Sequence, residues 1–130
     1  QQLAIIRHMV TTSSLAQQYT NLQIIGCPIV REDSGLALSS RNQRLSETEK
    51  QTAVAISQTL FTSLKWAETD TVANVQQRVI DTINAVNGLE VEYYEIVDKD
   101  TLQPTEKWVN AVGCVTVYCG GVRLIDNIRY

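Results

Sequence analysis

Residues Val112–Ile128 read VGCVTVYCGGVRLIDNI. β-Branched and aromatic residues crowd both sides of Gly120-Gly121, a dipeptide suited to the positive φ values of a two-residue turn. The stretch predicts a hairpin, with Val112–Cys119 leading into the turn and Val122–Ile128 returning. Upstream, Leu89–Val97 alternates: Leu89, Val91, Tyr93 and Val97 fall on one face, Glu90 and Glu92 on the other. A polar connection over 98–107, containing Pro104, joins this strand to the hairpin. Ahead of it, Ser46 followed by Glu49 has the S-x-x-E spacing of a capping box and opens a helix. Ala53, Ile56, Leu60 and Leu64 carry its apolar face to about Trp66. Thr69-Asp70-Thr71 breaks the helix and offers N-cap chemistry for a second. In that second helix Val72, Val75, Val79, Ile83 and Val86 repeat at helical spacing, and Asn87-Gly88 stops it. The expected fold class is α+β, with two helices packed on a three-stranded antiparallel sheet.

The first thirty residues read differently. Leu3, Ile6, Met9 and Val10 fit one face of a helix running to about Ala16. In LQIIGCPIV, residues 22–30, Gln23–Ile25 predicts a buried strand that Gly26-Cys27-Pro28 ends, since proline cannot donate to a ladder. The division expected is 1–31 as the last helix and strand of a preceding domain, 32–45 as a join, and 46–130 as a second domain.

Composition narrows the class. The chain has 130 residues, 44% hydrophobic and 19% charged, with a formal net charge of −3. This suits a soluble globular protein. Its eleven Lys and Arg are scattered, which argues against nucleic acid as a partner because phosphate binding needs clustered cations. No apolar run reaches the length of a membrane span. Cys27, Cys114 and Cys119 lack metal-ligand spacing and read as reduced thiols in a cytoplasmic protein. The opening Gln1-Gln2, with no initiator Met and no signal-peptide layout, predicts a fragment.

Chemistry concentrates in residues 35–42, GLALSSRN. Gly35 permits a close approach or an unusual backbone conformation. Ser39 and Ser40 supply hydroxyls and N–H groups. Arg41 brings five donors and a permanent charge suited to phosphate oxygens, and Asn42 can shape the turn through its own backbone. By spacing alone this is an anion-holding loop or, equally, a solvated interdomain loop. His8 reads as a solvent-facing or packing residue of the first helix. Glu90, Glu92, Glu95 and Asp98 read as the wet face of a strand.

PIVRE, GLALSSRN, the closing RLIDN (Arg123–Asn127) and the opening QQLAIIR together resemble the pantothenate synthetase (pantoate–β-alanine ligase) family, over essentially all 130 residues. The resemblance implies a Rossmann-type nucleotidyltransferase domain followed by a smaller lid domain, with residues 32–45 as the superfamily's KMSKS-like ATP loop at their join. It implies a reaction that uses ATP and magnesium. Pantoate attacks the α-phosphate to give pantoyl adenylate and pyrophosphate, and the amine of β-alanine then displaces AMP. By position, Ser39 and Arg41 would be catalytic and contact the ATP phosphates. Leu38 and Ser40 would frame the nucleotide, Ile29 and Val30 would line its adenine side, and Gln2 would bind pantoate. No residue here is assigned to a metal. The family places an Asp directly before the glycine, whereas this chain has Ser34 there and Asp33 one residue earlier. The family's HIGH-like histidine motif and its lysine have no counterpart in these residues, so the piece alone is expected to be inactive. Its apolar arm, residues 1–31, is expected to drive homo-oligomerisation. Without the resemblance, the alternative is a non-catalytic α+β binding or interaction module.

Overall fold

Gly120 and Gly121 adopt φ values of +54° and +77°, so the chain reverses in two residues and the following strand pairs back in register from Cys119↔Val122 to Val112↔Arg129. The structure is a computed structural model, and it describes residues 1–14, 18, 19 and 21–130. Three strands, β1 (Leu89–Asp98), β2 (Ala111–Cys119) and β3 (Val122–Arg129), form one antiparallel sheet in the order β1-β2-β3. Two helices, α2 (Glu47–Ala67) and α3 (Val72–Asn84), cover one face of it, and α1 (Gln2–Thr12) precedes them. The expected α+β arrangement of two helices on three strands is the one found.

Local chemistry sets the helix ends. Ser46 Oγ accepts from Glu49 N–H while the Glu49 carboxylate accepts from Ser46 N–H at 2.7 Å, a complete capping box. These bonds to Ser46 hold the Glu49 carboxyl below its ordinary pKa. Thr71 caps α3 by accepting from Asn74 N–H, and Gly88 follows that helix with φ +92°. In α1, Thr11 and Thr12 hydroxyls bond the carbonyls of Arg7 and His8, and the helix closes at Thr12 with Ser13 as its cap. Such back-bonding offers carbonyls an alternative to continued helix, so α1 stops short of the expected end; Ala16 itself lies outside the described residues.

Two further expectations change. Residues 22–30 form no regular strand, and Ile25 is 77% exposed. A strand needs a neighbour to complete its ladder, and among the described residues none runs beside Gln23–Ile25. Instead the Arg7 guanidinium donates to Ile24 O, and Gly26 sits against Leu3. In β1 the register slips between Val91 and Tyr93. This bulge moves the inward set from Leu89 and Val91 to Tyr94 and Ile96, leaving Tyr93 exposed. Val97 is also buried, at the point where the following connection folds back to bridge it with Pro104.

The core lies between the helices and the inner sheet face. Ile56, Leu60, Val75, Val79 and Ile83 meet Ile96, Val115, Val117 and Leu124, all nearly or wholly buried. Each such side chain contributes about 1.5–3 kcal/mol of hydrophobic stabilisation. A chain of hydroxyls crosses it: Tyr94 Oη and Ser63 Oγ each lie 2.6 Å from Tyr130 Oη. Burial pushes the Tyr94 phenol well above its ordinary pKa. Its ring lies across Gly113, where an added Cβ would stand 2.8–2.9 Å from ring carbons. Gly113→Ala is therefore expected to destabilise the fold by about 1–3 kcal/mol through overpacking, measured as a lower urea midpoint with an unchanged slope; an unchanged midpoint would show that Tyr94 shifts freely.

Candidate functional site

The loop before α2 is folded as a small unit of its own. Gly35 N–H donates to Glu32 O and Glu32 N–H to Leu36 O, while Leu38 N–H returns to Val30 O. This tight reversal over 32–35 requires φ +93° at Gly35, a conformation glycine reaches without strain. Asp33 and Ser34 are exposed at its tip. Leu36 and Leu45, both 5% exposed, plug the loop's two ends into the core. Between them, residues Ser40–Arg44 make a 3-10 turn capped by Ser39, whose Oγ accepts from Arg41 N–H at 3.2 Å.

Arg31 seats this loop on the sheet. Its guanidinium donates to both carboxylate oxygens of Asp126 on β3, at 2.7 and 3.0 Å, and to Gly35 O at 3.1 Å. It also stacks over the Phe61 ring, 5.0 Å from the centroid. Both partners are largely buried, and a bidentate fork is the geometry that makes such a pair favourable. Asn42 is buried as well. Its amide donates to Glu32 Oε1 at 2.8 Å and to Ala37 O at 3.0 Å, so it ties two parts of the loop together rather than bonding its own backbone as the sequence suggested.

The residues singled out by sequence are partly brought together. Ile29, Leu38 and Ser39 line one shallow pocket of about 240 Å³ with Ala37, Ile125, Asp126 and Asn127. Val30 stands beside it, 66% exposed. Ser40 and Arg41 are exposed on the same turn, and the Arg41 guanidinium donates to Arg123 O at 3.2 Å. Arg41 forms no ion pair among the described residues, so its charge is uncompensated and open to an anion. Gln2 opens α1, exposed, and does not line this pocket. His8 is exposed. Glu90, Glu92 and Glu95 are exposed on β1, with Glu92 paired to Arg123, and Asp98 accepts from Thr101 and Asp100 N–H in the turn that follows. Cys114 and Cys119 are free thiols on opposite faces of β2, and Cys27 is free and exposed. Among the described residues, no group of three His, Cys, Asp or Glu side chains could hold a metal ion, and no helix is long and apolar enough to cross a membrane.

Fold and loop together define a class: a helix-on-sheet module whose polar chemistry is concentrated in one exposed serine–arginine turn. The family model described as pantoate-beta-alanine ligase matches residues 1–129, and the chain belongs to that family. Pantothenate synthetase of Bacteroides fragilis (strain YCH46) is 56% identical, over all of this chain and 45% of its own length. That of Porphyromonas gingivalis (strain ATCC 33277) is 47% identical over all of this chain and 46% of its own. The pantothenate synthetase structure from Thermus thermophilus superposes with a TM-score of 0.84 at 33% identity, covering 98% of this chain and 45% of that one. The pantoate-beta-alanine ligase of Francisella tularensis, solved in complex with beta-gamma ATP and beta-alanine, gives a TM-score of 0.63 at 28% identity, with 98% and 39% covered. The chain thus spans less than half the length of the curated relatives it matches.

Removing one partner of the loop's seat strands a buried charge. Asp126→Ala is expected to cost about 3 kcal/mol, seen in urea unfolding, and to raise amide exchange over residues 31–38. The double change Arg31→Met with Asp126→Leu is expected to recover most of that stability. If Asp126→Ala unfolded at the wild-type midpoint, the pair would not be holding the loop.

Proposed function

We propose that this chain is the loop-bearing part of an ATP-dependent pantoate–β-alanine ligase. Residues 32–45 are the ATP loop, 46–130 the lid, and 1–31 the end of the nucleotide domain. The observation that carries the reading is Arg41: an exposed guanidinium without an ion pair among the described residues, on a turn fixed to the sheet and preceded by two exposed serines. In the whole protein, ATP, pantoate and β-alanine are the substrates. The carboxylate of pantoate attacks the α-phosphorus, the bond from that phosphorus to the α,β-bridging oxygen breaks, and pyrophosphate leaves. The β-alanine amine then attacks the acyl carbon, releases AMP and loses a proton. Ser39 donates to phosphate oxygens, Ser40 beside it frames the nucleotide, and Arg41 neutralises the charge that grows on departing pyrophosphate, where a preorganised cation is most effective. Leu38, Ile29 and Val30 give the nucleotide an apolar wall, and Gln2 hydrogen-bonds pantoate. Magnesium accompanies ATP, but the acidic residues described here form no cage for it, so no step is assigned to a metal held by this chain.

The reaction belongs to the cytoplasm, where ATP is made available to biosynthesis. The first thirty-one residues support a second element of the proposal. Helix α1 buries none of its residues, and Ile5, Ile6 and Met9 are exposed along it. A stripe of that kind is covered in a stable protein, and in this piece a second copy covers it.

In the full-length protein Arg41→Ala is expected to slow pantoate-dependent pyrophosphate release by ~10²–10³, equivalent to about 2–4 kcal/mol, with pantoate binding nearly unchanged. Unaltered release would remove Arg41 from the reaction. For the isolated chain, light scattering at tens of micromolar is expected to give a dimer or larger mass that falls to monomer when residues 1–31 are deleted; a monomer at the start would refute association through the arm.

A further inference from the structure

Six residues, Ala37 to Asn42, hold the two serines and the arginine assigned to phosphate, and one side chain closes them into a ring. Asn42 is 4% exposed. Its amide nitrogen reaches back to Ala37 O, and its backbone N–H donates to Ser39 O at 3.0 Å. The same amide nitrogen donates to Glu32 Oε1, across the reversal that Arg31 seats on the sheet. The amide can sit only one way round. Turned over, its oxygen would face a carboxylate and a carbonyl, two acceptors with no proton between them. Among the described residues its Oδ1 has no hydrogen-bond partner. Asn42 also lines a void of about 20 Å³ shared with Ser39 and Asp126.

We infer that Asn42 is a positioning residue: it clasps Ala37 to the start of the 3-10 turn and so fixes Ser39, Ser40 and Arg41 in the geometry that meets phosphate. The inference rests on the phosphate-facing reading of Ser39–Arg41 given above. It goes further by placing control of that geometry in a buried amide that touches no ligand. Two features set it apart from general stabilisation. The clasp spans the reactive residues themselves, from one before Leu38 to one after Arg41. Its outer partner is an acceptor oxygen of the Glu32 side chain, so its strength depends on donor–acceptor polarity as well as on shape.

That polarity supplies the test, in the full-length protein carrying these residues. Asn42→Ala should lower the rate of pantoate-dependent pyrophosphate formation by roughly 10- to 100-fold, the scale of a small misplacement of catalytic groups, with KM for pantoate unchanged. Asn42→Asp should lose as much at neutral pH, because the introduced carboxylate faces Glu32 and Ala37 O. Its activity relative to wild type should then rise toward pH 5, as protonation gives that carboxyl a proton to donate. Adding Glu32→Gln to Asn42→Asp should restore part of the rate at neutral pH, since the new amide can donate to the new carboxylate. Kinetics at the wild-type level per folded molecule in Asn42→Ala would overturn the inference, as would a loss in Asn42→Asp that neither acid nor Glu32→Gln relieves. Arg41→Ala run alongside separates the two ideas. If it is also silent, the phosphate-facing reading fails; if it alone is impaired, that reading stands and only the clasp fails. Should Asn42→Ala not fold, the Asn42→Asp pair decides.

Discussion

The Arg31–Asp126 pair is the constraint on which the rest of the site depends. Its members are far apart in sequence and close a loop that would otherwise hang from two leucine plugs. Desolvating two charges is expensive, and the fork geometry, the Gly35 carbonyl and the Phe61 face are what offset it. Asp126 is an inward-facing residue of β3 amid Leu124 and Ile128. A carboxylate there makes sense only with a cation brought to it from outside the sheet. The loop supplies that cation, and in doing so fixes its own position on the edge strand.

One consequence is a division of labour between two arginines ten residues apart. The charge of Arg31 is fully answered within the fold, so it is structural. The charge of Arg41 is not answered: its guanidinium rests on a backbone carbonyl, while the neighbouring Arg123 is already paired with Glu92. A carbonyl contact of that kind is weaker than an ion pair with phosphate, so the guanidinium can exchange one for the other without unfolding anything. The loop is therefore anchored at its base by Arg31 and carries an unanswered cation on its 3-10 turn, the combination that the role proposed for Arg41 requires.

Much of this was legible in the sequence where the signal is local. The Gly120-Gly121 turn, the Ser46/Glu49 box and the Thr71 cap each involve residues within a few positions of one another, and all three have the geometry their spacing implies. The bulge after Val91 was not legible: periodicity of two carried Tyr93 inward, and only pairing with β2 reveals the extra residue. Gln23–Ile25 is apolar and β-branched, which reads as a strand, but composition cannot supply the partner that a ladder needs. The serine–arginine turn was singled out from residue types and from family resemblance. What holds it was missed, because an Arg and an Asp in separate motifs, or an Asn and a Glu ten residues apart, carry no mark of contact until the chain is folded.

The proposed function requires that Ser39–Arg41 face the phosphates of ATP. The most direct measurement is photolabelling of the full-length protein with an ATP analogue bearing an aryl azide on its γ-phosphate, followed by peptide mapping. Label is expected within residues 38–44, suppressed by excess ATP and unaffected by excess β-alanine. Competable labelling that falls nowhere in these 130 residues would contradict it.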